Sequence, residues 1–262
     1  MPITAVMVLA GACVKTQTLP MPEKQCDSLC IHVSSVPGYS HLDIFIYSDS
    51  LDRPLEQHFR CDKGQSIKLP CYEGEKIIVG LANLRGEFGE LLPRTYEAME
   101  NLSMRYADED PSQPFQSGIC YLQGGSTAEL KLSPLLCPIH INDICMEGDA
   151  PLCDPVASLL RVNAEIPILR MDGFHPSRTL DGPEGLEFPL MMMQALPFDI
   201  AAVPQRAGIT LYCYPNEDEQ GLSGGGTELL ISGFQSGEPR EFCIPLGKIS
   251  RSGAIYLDLE LK

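Results

Sequence analysis

Short apolar segments separated by polar turns run along this chain, and most of them have the two-residue period of β-strands. In the segment 42–47, Leu42, Ile44 and Ile46 share one face. The polar cluster 49–54 that follows predicts a hairpin turn, with its partner strand at residues 58–61. About seven strands are expected before residue 148, a number that suits a β-sandwich. The others are predicted at 30–34, 66–69, 76–84, 119–122, 127–132 and 138–144.

One segment of the first half has a helical spacing instead. Met99, Leu102 and Tyr106 form a stripe along residues 96–106, and Pro111 ends the pattern. We therefore expect a short helical insert among the strands of the first half.

Residues 147–155 interrupt the strand pattern with glycine, prolines and acidic side chains, which indicates a domain boundary. The pattern predicts an all-β fold of two tandem β-sandwich domains, residues 30–148 and 149–262. Strands of the second half are predicted at 159–163, 189–196, 209–214, 227–232 and 241–245. The last strand has the clearest alternation in the chain, with one face made of Ile255, Leu257, Leu259 and Leu261.

The first residues differ in character from the rest of the chain. Residues 1–13 carry no charge and are too few to span a bilayer. Small residues lead into Cys13, as at a bacterial lipoprotein cleavage site, although Leu9 stands one position before its usual place. We interpret 1–13 as a signal and lipobox-like segment with a lipid, such as palmitate, on Cys13, and 14–29 as a tether leading into the first strand. The alternative is an apolar first strand with a buried thiol.

The charge balance excludes several classes of partner. The chain has 19 basic and 35 acidic residues, a formal net charge of −16. Binding to nucleic acid needs positive charge to neutralise phosphates, so nucleic acid is not an expected partner. An anionic membrane surface would repel the same body, so membrane attachment requires a covalent lipid or an apolar device.

No motif predicts catalysis or a cofactor. The segment 221–225 matches the G-x-S-x-G pattern, but polar residues precede it and no histidine follows it. The five histidines lack zinc-site spacing, and the acidic triplet Asp108-Glu-Asp110 is typical of a solvated loop. We expect no enzymatic activity, no metal site and no cofactor.

The cysteines leave two interpretations open. Eleven are present, and a lipidated Cys13 leaves ten, an even number that permits disulfides in an oxidising compartment. Their pairing cannot be deduced from the sequence. Several, such as Cys213 and Cys243, lie in apolar strand patterns, which favours buried thiols for at least half of them.

Taken together, these segments resemble the fimbrillin-like proteins of Bacteroidetes, especially the anchoring-subunit lipoproteins of type V fimbriae. The resemblance implies transthyretin-like β-sandwiches, a lipid anchor in the outer membrane, exposure at the cell surface, and a role in fimbria assembly and adhesion with other fimbrial subunits as partners. It is carried, besides the cysteine at position 13, by the segments 42–48, 81–84, 208–215, 227–233 and 242–246 and by the final strand.

In that family, polymerising subunits lose their first strand to an arginine-specific protease and accept a strand from a neighbour. Here no arginine precedes Arg53, so the resemblance implies a subunit that keeps its first strand and ends a fibre. It also makes Ile255, Leu257, Leu259 and Leu261 the candidates for strand complementation. The alternative function is that of a monomeric surface lipoprotein that binds a glycan or a host protein.

Overall fold

The computed structural model describes residues 29–35, 38–63, 67–69, 74–86, 88–122, 127–169, 199–216, 226–251 and 253–262. Within these ranges β-strands dominate, and the one α-helix, α1, spans Tyr96–Glu100. The strands are β1 Leu29–Ser35, β2 His41–Ser48, β3 Leu55–Asp62, β4 Ile67–Leu69, β5 Lys76–Ala82, β6 Ser103–Arg105, β7 Gln116–Leu122, β8 Thr127–Pro134, β9 Cys137–Met146, β10 Leu152–Leu160, β11 Glu165–Pro167, β12 Gln205–Cys213, β13 Thr227–Gln235, β14 Glu238–Gly247 and β15 Ile255–Leu261.

The first half forms one sheet that folds back on itself, in the order β3-β2-β5-β7-β8-β1-β4. Strands β7 and β8 pair only at Gln116–Pro134 and Ser117–Ser133, so the sheet bends sharply there. The bend produces two facing layers, β3-β2-β5-β7 and β8-β1-β4. Their inward side chains form a shared core that includes Leu42, Ile44 and Ile46 from the face predicted for β2.

Two glycines let these layers approach each other. Gly80 of β5 and Gly118 of β7 stand opposite each other in the ladder. A Cβ atom on Gly80 would lie 2.5 Å from Cδ2 of Leu130, and one on Gly118 would lie 2.2 Å from the carbonyl oxygen of Lys131. The side chains and backbone of β8 therefore occupy the space that a larger residue would need.

A second core covers the opposite face of β2 and β5. Phe45 and Tyr47 of β2 are fully buried there, against Tyr96 and Met99 of α1. Segments from beyond residue 134 complete this core, including the fully buried Tyr214. Because residues from both halves of the chain share it, this core joins the two halves.

From β9 onwards, six strands form two three-stranded sheets, β12-β9-β15 and β10-β13-β14. The chain from β9 onwards is called the second half below. In the first of these, β9 is central, with β12 antiparallel on one side and β15 parallel on the other. Apolar side chains from both sheets form a third core, to which β9 contributes Ile139, Ile141 and Ile144.

The predicted all-β fold with a short helical insert is confirmed, but the helix is shorter than predicted. It ends at Glu100, and Asn101 caps it. Residues Ser103–Arg105 form β6 instead, because they pair with β11 of the second half. Met99 and Tyr106 are buried in the same core, so the prediction that both lie on a buried stripe is confirmed. The prediction that one helix carries both residues is wrong.

The strand predictions differ most in the region of the expected boundary. Strand β10 begins at Leu152, inside the segment 147–155 that was predicted to be irregular. Strand β9 belongs by its pairing to the second half, so we propose that the two tandem domains meet between Pro134 and Cys137. The predicted strand at 189–196 lies outside the described residues.

Glu109 lies at the seam between the two halves. Its Oε2 accepts a hydrogen bond of 3.1 Å from the Phe115 N–H, and its Oε1 accepts one of 3.3 Å from the Tyr214 hydroxyl. Burial raises the pKa of this carboxyl to about 7, although these hydrogen bonds and the nearby Arg85 oppose the rise. The fold therefore holds a half-buried carboxyl group whose charge changes near neutral pH.

We expect Gly118→Ala to lower the free energy of unfolding by about 3 kcal/mol, because the new Cβ would collide with the backbone of β8. Chemical denaturation measures the loss. Gly38→Ala is the matched control, since its Cβ would meet only the flexible end of Lys63, at 3.0 Å. A change within about 0.5 kcal/mol is expected for the control. Equal stability of the two variants would show that the layers are not held this closely.

Glu109 should make stability fall as the pH rises from about 4.5 to about 7. Over that window the carboxyl ionises in the unfolded chain while burial keeps it protonated in the folded one. The loss should be about 3 kcal/mol, and it should be complete above pH 7. Glu109→Gln should remove this part of the pH dependence, as measured by thermal unfolding across the range. Asp108→Asn, at an exposed neighbour, should leave it in place.

Candidate assembly surface at the terminal strands

The last strand, β15, lies at an open edge of its sheet. Within the described strands it pairs with β9 alone, in parallel, from Ile255 opposite Ile139 to Leu261 opposite Met146. Its other edge therefore presents backbone N–H and C=O groups that no described strand pairs. The final carbonyl is held by a 2.7 Å hydrogen bond from the Glu147 N–H to the Leu261 oxygen.

The structure brings the four predicted residues of β15 onto one face. Leu261 is buried, whereas Ile255, Leu257 and Leu259 are only half-buried against the core. Parallel pairing at one edge, with incomplete burial, holds a strand less firmly than a central position does. β15 is thus docked on its own domain by a limited apolar surface.

The outward face of β15 adds a repulsive contact that the sequence could not reveal. A bulge between Leu257 and Asp258 shifts the register so that Asp258 stands opposite Asp143. Both side chains are exposed, and like charges opposite each other destabilise a strand pair, but the exposed Arg206 of β12 stands opposite Asp143 on its other side. The exposed Tyr256 ring stacks on His140 with centroids 4.9 Å apart, which partly offsets this repulsion.

The segment that leads into β15 is fastened to the first half through Arg251. Its Nη2 donates hydrogen bonds to the Ser117 carbonyl at 3.4 Å and to the Ser133 carbonyl at 3.5 Å. These carbonyls lie at the bend where β7 and β8 pair. The attachment of β15 is therefore linked to the bend of the first sheet.

The first described strand, β1, has a more protected position than β15. It lies between β8, to which it is parallel, and the short β4, to which it is antiparallel. Leu29 and Ile31 are buried in the first core. Loss of β1 would therefore open an apolar groove beside β8.

Arg53, the first arginine of the chain, lies within a tight turn. Asp52 and Arg53 have φ angles of 67° and 40°, in the left-handed region. The Arg53 carbonyl accepts a 2.9 Å hydrogen bond from the Tyr96 N–H, and its guanidinium lies 5.6 Å from the centre of the Tyr96 ring. A protease needs an extended segment at its cleavage site, and this turn supplies none.

The acidic triplet 108–110 does not converge on a common site. Asp108 pairs with Arg105, Asp110 pairs with Arg85, and Glu109 points into the seam. In the part of the chain that the structure describes, no three His, Cys, Asp or Glu side chains are grouped to hold a metal ion. The G-x-S-x-G segment and Cys13 lie outside the described residues.

A cleft of about 380 Å³ lies at the seam between the halves. Four prolines at positions 111, 114, 134 and 138 contribute to its lining, together with Tyr212 and His140. The Nδ1 atom of His140 is 3.0 Å from the Thr210 hydroxyl, so that polar atom already has a partner. The cleft therefore offers few polar groups that could order the hydroxyls of a sugar.

The helices among the described residues are three to five residues long. None of the helices there has the length and apolar character that crossing a bilayer requires.

No protein-family profile and no curated protein matches this chain. Solved structures do. A fimbrial assembly protein of Parabacteroides distasonis is 12% identical over 88% of this chain and 90% of its own, with a TM-score of 0.54. A fimbrilin of Porphyromonas gingivalis is 12% identical over 80% and 72%, with a TM-score of 0.58.

The tip fimbrial protein of Porphyromonas gingivalis, solved with a C-terminal truncation, is 8% identical over 89% of this chain and 95% of its own, with a TM-score of 0.56. At such identities the likeness extends to the fold and not to the details of any site. This chain therefore shares its fold with these fimbrial proteins of Porphyromonas and Parabacteroides, as the resemblance in its sequence implied.

Proposed function

We propose that this protein is a fimbrial subunit exported to the cell surface, where it acts in assembly and adhesion through β-strand complementation. The observation that carries the proposal is the position of β15, an edge strand with a half-buried apolar face on a fold shared with fimbrial proteins. Assembly by exchange of strands requires such an element, because a displaced strand must be replaced by one with the same alternation.

The arrangement of β15 supports exchange on energetic grounds. Burial of an apolar side chain stabilises by about 1.5–3 kcal/mol when it is complete, and three of the four inward residues of β15 are only partly covered. Release of β15 would cost less free energy than removal of a central strand. A groove on a partner that buries the apolar face of β15 more completely would offset that cost.

Within fimbriae, we assign the protein an anchoring or accessory position. No arginine precedes the turn at Arg53, and that turn is folded against Tyr96, so β1 would be retained. A subunit that keeps β1 has no groove for an incoming strand and can only end a fibre. A lipid on Cys13 would hold that end in the outer membrane, with the body of the protein at the cell surface.

The test uses native protein extracted with detergent from the envelopes of the producing bacterium, run on gels before and after boiling. We expect a heat-sensitive ladder that contains a second fimbrial subunit identified by mass spectrometry. A lone lipidated monomer would contradict the assembly role and favour the alternative, a surface lipoprotein that binds a glycan or a host protein.

Paired variants then locate the contact. Leu259→Ser should abolish the ladder, because it removes an apolar side chain that a partner's groove would have to bury, as the protein's own core does now. Glu260→Ser, on the exposed face of the same strand, should leave the ladder intact. Circular dichroism shows whether each variant is folded. A folded Leu259→Ser protein that still forms the ladder would exclude β15 as the complementing strand.

A further inference from the structure

Two cysteines meet on neighbouring strands of the second half. Cys137 begins β9 and Cys213 ends β12, and the antiparallel register places them directly opposite each other. In the registers of the described strands no other cysteine stands opposite a cysteine; Cys243, for example, faces Leu230. The pair is therefore a particular feature of this ladder and not a result of the chain's high cysteine content alone.

The backbone geometry of the pair suits a covalent bond. Residues opposite each other in an antiparallel ladder have Cα atoms about 4.5 or 5.5 Å apart, depending on the type of pair. Both spacings lie within the range of about 4.4–6.8 Å between Cα atoms that disulfides occupy.

The environment of the pair is dry and confined. Both cysteines are free thiols in the structure, neither has exposed surface, and both belong to the third core. Burial raises the pKa of the Cys213 thiol, and the nearby Cys137 adds to the rise. The Cys137 thiol also lies 3.2 Å from the Ser250 carbonyl, near the start of the segment that leads into β15.

We propose that Cys137 and Cys213 form a cross-strand disulfide. The oxidant is a disulfide donor, either a dithiol oxidoreductase of the cell envelope or a small-molecule disulfide. One cysteine thiolate attacks the donor's S–S bond and releases a donor thiol. The second cysteine thiolate then attacks this mixed disulfide and releases the other. Two electrons pass to the donor, which leaves as two thiols with the two protons of the cysteines.

The supply of the oxidant in the cell rests on the proposed export, whereas the pairing rests on the ladder alone. Because both thiols are buried in the folded protein, exchange must take place during folding, before β12 closes on β9. Once formed, the bond would be shielded from reductants by the same core.

The disulfide would make only one of the two neighbours of β9 covalently attached to it. β12 would be fixed on one side, while β15 stays docked on the other side by hydrogen bonds and apolar contacts. The sheet would then keep its shape whether or not β15 is in place. Under the proposed function, this is the property that a subunit with a releasable strand needs.

The test refolds the full chain in a glutathione redox buffer, blocks remaining thiols with iodoacetamide in denaturant, and maps the peptides without reduction. We expect a peptide that links Cys137 to Cys213. Oxidised protein should unfold about 10 °C higher than reduced protein, because the bond closes a loop of roughly 75 residues. Alkylation of both cysteines in the refolded wild-type protein, or their linkage to other cysteines, would overturn the proposal.

Variants separate this bond from other cysteine chemistry. Cys213→Ala should lose most of the difference in melting temperature between oxidised and reduced protein, whereas Cys243→Ala, at an exposed cysteine, should keep it. The same difference in both variants would overturn the proposal. Peptide mapping needs only the wild-type chain, so it decides the question even if Cys213→Ala does not fold. The bond could form on refolding and yet be absent from cellular protein whose thiols are blocked at lysis. That result would contradict the proposed export, and the proposed pairing of Cys137 with Cys213 would stand.

Discussion

The structure depends on the apolar character of both faces of β2 and β5. One face closes the first core against β8, and the other buries Phe45 and Tyr47. A sheet with two apolar faces needs a cover on each side. The second cover comes from α1 and from segments of the second half, such as that of Tyr214. The same constraint therefore explains why the insert exists and why the two halves pack together.

Contact between the halves affects the last strand. Arg251 binds the carbonyl groups at the bend of the first sheet, a few residues before β15 begins. β15 itself has an exposed edge, a half-buried apolar face and an acidic side chain opposite Asp143. The molecule thus combines a body built on shared cores with an edge strand, β15, whose inward face is only partly buried.

Local patterns in the sequence were sufficient to predict most strands. The alternation in β2 and β15 gave the correct faces because period-two burial is a property of each strand by itself. The pattern failed at residues 103–105, where pairing with β11 overrode a helical spacing. The strand at β9 was predicted, but the sheet that it joins depends on partners far away in the chain. The opposition of Asp258 and Asp143, and that of Cys137 and Cys213, are properties of register that no single segment contains.

The central claim is that β15 can leave its sheet while the rest of the fold persists. Amide hydrogen exchange in native conditions measures this directly, because local opening and global unfolding have different free energies. Amides of β15 that pair with β9 should exchange at a much lower opening free energy than those of β12. Asp258→Asn, which removes the like-charge contact with Asp143, should slow their exchange. Protection of β15 equal to that of β12, with no response to Asp258→Asn, would contradict the claim.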